Sequence, residues 1–449
     1  MMKHYDSYKD SGIEWIGEIP SHWEVIPLKH ICYMKGRIGW KGLKQEEFSN
    51  DMNLPYLITG HDIKNDQLDW NKCYHIEIER YNESPEIMLK LDDLLFTKDG
   101  TIGKTLLIDK LPGLSTINSH LLLIRPLNKR YKSKFLQYIF KSSYFNSYVD
   151  LTKTGTTFYG VSQETMMEFG GYFPPLTEQE HIVSYLDDKT TKIDELIQKK
   201  LRKIDLLKEY RTSLINTVVT KGLNPNVPMK DSGIEWIGEI PVSWNSGKMK
   251  YLLSNNDGGV WGTDIEDEEK GTLVVRSTEI TIDGNWDLSQ ILKRYLTESE
   301  VIKCKLFEGD IVITKSSGSP QHIGKSVIVS KEIEELNCCY SNFVQRIRFR
   351  NYNSKLYHYI LNSDIVRSQF KYLTTSSTGL GNLNETSLND ILLPFIPLQE
   401  QEHIVSYLDE KTSQIDKTID IEKKKIELLK EYRQSLISNV VTGKIKVIE

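Results

Sequence analysis

The feature that most restricts the fold is a long helix written twice. Leu176-Thr177-Glu178-Gln179-Glu180-His181-Ile182-Val183-Ser184-Tyr185-Leu186-Asp187 returns 222 residues later as Leu398-Gln399-Glu400-Gln401-Glu402-His403-Ile404-Val405-Ser406-Tyr407-Leu408-Asp409. Both copies continue without Gly or Pro for about ten further helical turns. In the first, Ile193, Ile197, Lys200, Ile204, Leu207, Arg211, Leu214 and Val218 alternate steps of four and three. The second repeats the seam as Ile415, Ile419, Glu422, Ile426, Leu429, Arg433, Leu436 and Val440. A stripe this narrow suits the side of another helix, and the equal copy within the same chain is the nearest partner. An intramolecular two-helix coiled coil follows, with rods roughly 55 Å long from Ile182 to Val218. Equal faces pair through a two-fold arrangement, so the rods are expected to be antiparallel, with the chain ends close together.

A second repeat precedes each rod. Asp10-Ser11-Gly12-Ile13-Glu14-Trp15-Ile16-Gly17-Glu18-Ile19-Pro20 recurs letter for letter at Asp231 to Pro241, and Trp23 and Trp244 follow at the same distance. This reads as an apolar clip that docks on a neighbouring element. Between clip and rod, Asp93-Leu94-Leu95-Phe96-Thr97-Lys98 matches Asp310-Ile311-Val312-Ile313-Thr314-Lys315. Likewise Ile102-Gly103-Lys104-Thr105 matches Ile323-Gly324-Lys325-Ser326, across a loop four residues longer. β-Branched runs and one short helix per copy make these duplicated α+β domains. Thr154-Gly155-Thr156 and Thr378-Gly379-Leu380 form another shared element before the rods. The chain divides into 1–173 (first clip and domain), 174–221 (first rod), 222–396 (linker, second clip and domain) and 397–444 (second rod).

Catalytic chemistry has no visible place in this plan. Gly103-Lys104-Thr105 and Gly324-Lys325-Ser326 resemble the end of a phosphate loop. However, the preceding glycines are at the wrong spacing, and the lysines sit between strands instead of opening a helix. The only Pro-Pro pair, Pro174-Pro175, lacks the Asn or Asp and the aromatic that an amino-methyltransferase motif needs. Five cysteines with no C-x-x-C pair exclude a disulfide framework and a zinc site of that type. With no 18-residue apolar run and no apolar leader core, the expected location is cytoplasmic, with no membrane partner.

DNA contact has better candidates, although the net charge of -5 does not advertise it. The loop carrying Lys35, Arg37, Trp40, Lys41 and Lys44 is basic and Gly-rich, which suits close approach to a phosphate backbone. Its counterpart keeps Trp261 and loses the basic residues. Lys98, Thr101 and Lys104 in the first domain, and Lys315, Ser317, Gln321, His322 and Lys325 in the second, complete the candidate set. The first of these loops also reads as a surface turn with a packed Trp, and those after Lys98 and Lys315 as ordinary turns.

The paired clips, the Pro-Leu-x-Glu-Gln-Glu-x-Ile start of each rod and the divergent domain between them resemble the specificity subunit of a type I DNA restriction-modification enzyme, over Asp10 to about Lys444. The resemblance implies an α+β architecture: two homologous target-recognition domains separated by an antiparallel pair of long helices, with pseudo-two-fold symmetry. It implies that each domain reads half of a bipartite double-stranded DNA target. Two modification subunits, holding S-adenosylmethionine for adenine N6 methylation, would dock on the rods around Glu178 to Tyr185 and Glu400 to Tyr407. Restriction subunits would add ATP- and Mg-dependent cleavage, while this chain binds no cofactor and no metal and is not itself an enzyme. Divergent loops predict an asymmetric target, with the rods as its ruler. The rival readings are a coiled-coil scaffold without DNA specificity and a self-contained restriction methylase.

Overall fold

The computed structural model describes residues 4–13, 16–38, 42–128, 130–153, 160–265, 271–317, 320–375 and 382–447. Trp40 and Lys41, and the shared Thr-Gly elements at 154–156 and 378–380, lie outside them. The chain forms two compact units, one of residues 1–200 with 423–449, the other of residues 201–422.

The two rods are the helices Leu176–Lys221 and Leu398–Val441. Prolines set their starts. Glu178 and Gln179 donate backbone N–H bonds to the Pro175 carbonyl, and Glu400 donates to that of Pro397. Glycines end them: Gly222 and Gly443 adopt φ of 72° each, a left-handed conformation that costs glycine little. Within the second unit, Lys203 Nζ meets Glu422 at 3.0 Å and Arg211 meets Asp416 at 3.0 Å. Numbers rise along one helix as they fall along the other, so the pair is antiparallel, as the seam requires. The first unit holds the equivalent ion pair, Arg433 with Asp194 at 2.9 Å. The isoleucines of both seams are buried, and the helix residues around them are mostly exposed.

Each clip is a small antiparallel hairpin. Tyr8–Asp10 pairs with Glu18–Pro20 in the first, and Met229–Asp231 with Glu239–Pro241 in the second. Trp23 and Trp244 are fully buried beneath them. Trp23 Nε1 donates to Glu178 at 3.2 Å and Trp244 Nε1 to Glu400 at 3.1 Å, joining clip and helix start. The clip also meets the other helix's end. A β-carbon on Gly443 would lie 2.3 Å from Pro20, and one on Gly222 would lie 3.3 Å from Trp244. Tyr8 Oη donates to the Gly443 carbonyl at 3.2 Å, and Lys446 Nζ lies 5.7 Å from the Tyr5 ring centre. The two ends of the first unit's chain meet here, as expected.

The Gln of each Glu-Gln-Glu motif ties helix to domain. Gln179 Oε1 accepts from Lys132 N–H at 2.9 Å, and Gln401 Oε1 from Asn353 N–H at 2.8 Å. Each domain centres on a four-stranded antiparallel sheet. In the first, the strand order is Cys32–Gly36, Leu121–Pro126, Leu94–Thr97, Thr105–Leu107. In the second it is Leu253–Gly258, Val344–Phe349, Ile311–Thr314, Ser326–Ile328. The inner strands Leu94–Thr97 and Ile311–Thr314 are buried along their whole length. A smaller three-stranded sheet adds a parallel pair to each domain: Tyr56–Ile58 with Ser115–Ile117, and Thr272–Val275 with Cys339–Tyr340.

Candidate nucleic-acid interface

An equivalent carboxylate holds each sheet. Asp93, 0% exposed, binds the Arg125 guanidinium at 2.6 and 2.7 Å, and Asp310, also 0% exposed, binds Arg348 at 2.6 and 2.9 Å. This bidentate pairing fixes the start of each inner strand. At the other end of that strand lies the loop that carries most of the candidates.

The Gly-Lys lysines of that loop are structural. Lys104 Nζ donates to the Gly60 carbonyl at 3.0 Å. Lys325, 4% exposed, donates to the Ser277 and Ile280 carbonyls at 2.9 and 2.5 Å, and burial pushes its pKa down. Lys98 and Lys315 behave differently. Both are partly exposed, and neither ammonium has a hydrogen-bonding or ionic partner among the described residues. Burial lowers the pKa of Lys315. Thr101 is exposed, and its carbonyl accepts from Thr97 Oγ1 at 2.6 Å. Ser317 and His322 are partly buried, while Gln321 is exposed with its carbonyl held by Arg367 at 2.9 Å.

The edge-strand candidates also separate. Lys35 is exposed on Cys32–Gly36, opposite Leu123. Arg37, expected at a phosphate, is 3% exposed and turns inward: Nε donates to the Ile117 carbonyl at 3.1 Å, and the other nitrogens reach Ser84 and Thr116. Burial lowers its pKa, and its charge serves the interior of the domain. Lys44 is exposed at the start of a 3-10 turn. Trp261 is partly buried with the Arg294 guanidinium 4.5 Å from its ring centre, so a cation already occupies that face.

Sequence reasoning passed over the neighbours of Lys98 and Lys315. His120 accepts the Lys98 N–H at its carbonyl and projects an exposed ring that meets Asp99 at 2.5 Å. Phe343 takes the same place beside Lys315, 47% exposed. The signal was available, because each residue stands directly before the matched strand that begins at Leu121 or Val344. The rod starts differ from expectation as well. Glu178, read as part of a docking face, is 5% exposed and accepts from Tyr5 Oη at 2.5 Å, His22 Nε2 at 2.8 Å and Trp23 Nε1 at 3.2 Å. Glu180, His181 and Ser184 remain exposed there, as do Glu402, His403 and Ser406.

Among the described residues, no group of three or more His, Cys, Asp or Glu is placed to hold a metal ion. No helix among them is long and apolar enough to cross a membrane.

Residues 20–206 and 241–431 match the family model of the Type I restriction modification DNA specificity domain. The chain is 23% identical over 442 residues to the putative type I restriction enzyme MjaX specificity subunit of Methanocaldococcus jannaschii, covering 96% of each. It is 21% identical over 402 residues to the EcoKI specificity subunit of Escherichia coli, covering 88% of this chain and 83% of that one. Two solved structures share the fold. A chain from work on complex assembly and conformational transition of the type I R-M system gives a TM-score of 0.72 at 15% identity, covering 95% of this chain and 99% of that one. The HsdS subunit from Thermoanaerobacter tengcongensis gives 0.51 at 16% identity, covering 95% and 98%. With the domain and the following helix matched twice along its length, the chain belongs to the type I restriction-modification DNA specificity family.

Proposed function

We propose that this chain reads an asymmetric, bipartite DNA target and directs partner subunits to it, one domain per half-site. The observation that carries this reading is divergence at the outer strand and at the loop after the inner strand, on a common framework. The Asp93–Arg125 and Asp310–Arg348 pairs are equivalent. At the outer strand, by contrast, the first domain has Lys35 opposite Leu123, and the second has Asp257 paired with Arg346 at 2.7 Å. Base readout needs donors and acceptors that differ from site to site on a scaffold that does not. The proposed partners are two modification subunits, which supply S-adenosylmethionine and adenine methylation, and restriction subunits that use ATP and Mg. Docking on the rods uses the exposed Glu180, His181 and Ser184 and their counterparts Glu402, His403 and Ser406, since Glu178 serves the clip.

The test is domain replacement in the assembled complex. Substituting residues 246–396 with a copy of the first domain is expected to turn the methylated sequence into a palindrome of the first half-site, read by methylome mapping. Methylation still directed to the original asymmetric sequence would show that the domains do not encode it.

A further inference from the structure

Lys98 and Lys315 directly follow the inner strands Leu94–Thr97 and Ile311–Thr314. Their backbones are clamped alike. Lys98 N–H donates to the His120 carbonyl at 3.0 Å, and the Lys98 carbonyl accepts from Val161 N–H at 2.8 Å. Lys315 repeats both bonds, with the Phe343 carbonyl at 3.1 Å and Leu383 N–H at 2.8 Å. Only the side chain retains freedom. In both domains it ends at the glycine that closes the outer strand: a β-carbon on Gly36 would lie 3.9 Å from Lys98 Nζ, and one on Gly258 would lie 3.3 Å from Lys315 Nζ.

The other lysine of each loop, Lys104 or Lys325, is satisfied by backbone carbonyls. The fold thus uses one ammonium internally and leaves the second partly desolvated with no acceptor among the described residues. Such a half-exposed ammonium, held at a fixed place by its backbone, is open to an incoming anion. The nearest acid in sequence, Asp99, is engaged by His120, and the equivalent position is Ser316. What the anion is follows from the symmetry. Groups that read bases should differ between domains with different half-sites, as His120 and Phe343 do. The phosphate backbone is the same in both half-sites, and a lysine meets it as a point charge.

We propose that Lys98 and Lys315 are matched phosphate contacts, each gripping the DNA backbone of its own half-site through the ammonium at Gly36 or Gly258 and carrying no base preference. This rests on the DNA-reading function proposed above.

The experiment uses the full complex with its modification subunits. Binding is titrated over a salt series on two duplexes, one carrying the methylated sequence found by methylome mapping and one unrelated. The variants are Lys98→Met, Lys315→Met and Lys98→Arg. Lys110→Met, at the opposite end of the same hairpin, controls for net charge. Each Met variant at Lys98 or Lys315 is expected to weaken both duplexes by the same factor, roughly fivefold at 0.15 M salt, and to lower the log–log salt slope by about 0.9. Lys98→Arg keeps the wild-type slope, and the methylated sequence stays the same. A loss confined to the cognate duplex, or a changed methylated sequence, would overturn the proposal in favour of base reading. A loss no larger than that of Lys110→Met would overturn it too. If the unaltered complex fails to distinguish the two duplexes, the DNA-reading function itself fails, independently of these lysines.

Discussion

The first domain offers an exposed Lys35 at its outer strand where the second neutralises Asp257 with Arg346. Beside the lysine that follows the inner strand, the first places an imidazole and the second a phenyl ring. Beneath these differences the frameworks share a set of contacts, through Asp93 and Asp310, Lys104 and Lys325, Trp23 and Trp244. A duplicated domain can therefore change its outer surface while a shared set of buried polar contacts is kept. Leaving a buried charge unpaired costs several kcal/mol, whereas exposed substitutions cost little.

The strongest challenge to that correspondence is to remove the same carboxylate from each half. Asp93→Ala and Asp310→Ala should each destabilise their own unit by about 3 kcal/mol, the lower part of the range for stranding a buried partner, because both arginines are partly exposed. Chemical denaturation with hydrogen exchange localised to each unit checks this. A tolerant half would break the correspondence.

The rod starts should separate the halves. Glu178 accepts three side-chain bonds, whereas the Trp244 indole is the side-chain donor given to Glu400. Position 5 corresponds to Asn226, and His22 to Ser243. Glu178→Ala is expected to cost roughly 2–3 kcal/mol and Glu400→Ala roughly 1 kcal/mol, according to the donors left unsatisfied. Equal costs by the same measurement would show that Tyr5 and His22 contribute nothing.

The last effect is confined to acid. His358, whose Nε2 lies 3.2 Å from the Ser326 carbonyl, is pushed by burial from the usual 6.5 down to about 4. A folded state that disfavours the imidazolium has its full stability above pH 6.5 and loses it as pH falls from there towards 4, by at most about 1.4 kcal/mol per pH unit. The first domain has Gln137 in the equivalent place, donating to Thr105 at 3.2 Å. His358→Gln should flatten the pH dependence of the second unit between pH 4 and 6.5. An unchanged profile in pH-dependent denaturation would remove His358 as its cause.

The rods were legible in the sequence because a 3.5-residue seam is a local pattern and because Pro and Gly mark where helices begin and end. Their antiparallel sense followed from the equality of the two seams. Burial of cations was not legible. Arg37 sits in a basic, Gly-rich run that reads as an exposed loop, and its acceptors, Ile117, Ser84 and Thr116, come from distant parts of the chain. Lys325 likewise depends on carbonyls of Ser277 and Ile280. The role of Glu178 left a usable trace: Trp23 and Glu178 are separated by 155 residues, Trp244 and Glu400 by 156. A pair of residues kept at matched spacing in both copies points to a contact that no local pattern shows.

The composition of the two units also sets an order of assembly. The second unit is one uninterrupted stretch, residues 201–422, and everything it needs has been synthesised once that stretch is made. The first unit starts earlier but includes residues from 423 onward, among them Arg433, which pairs with Asp194, and Gly443, which packs on Pro20 and Trp23. During synthesis the half that is translated first is thus the half that finishes last. Until the second rod emerges, the first clip and the start of the first rod are without their closing partner. A chain ending within residues 423–447 would carry every residue of the second unit and only part of the first.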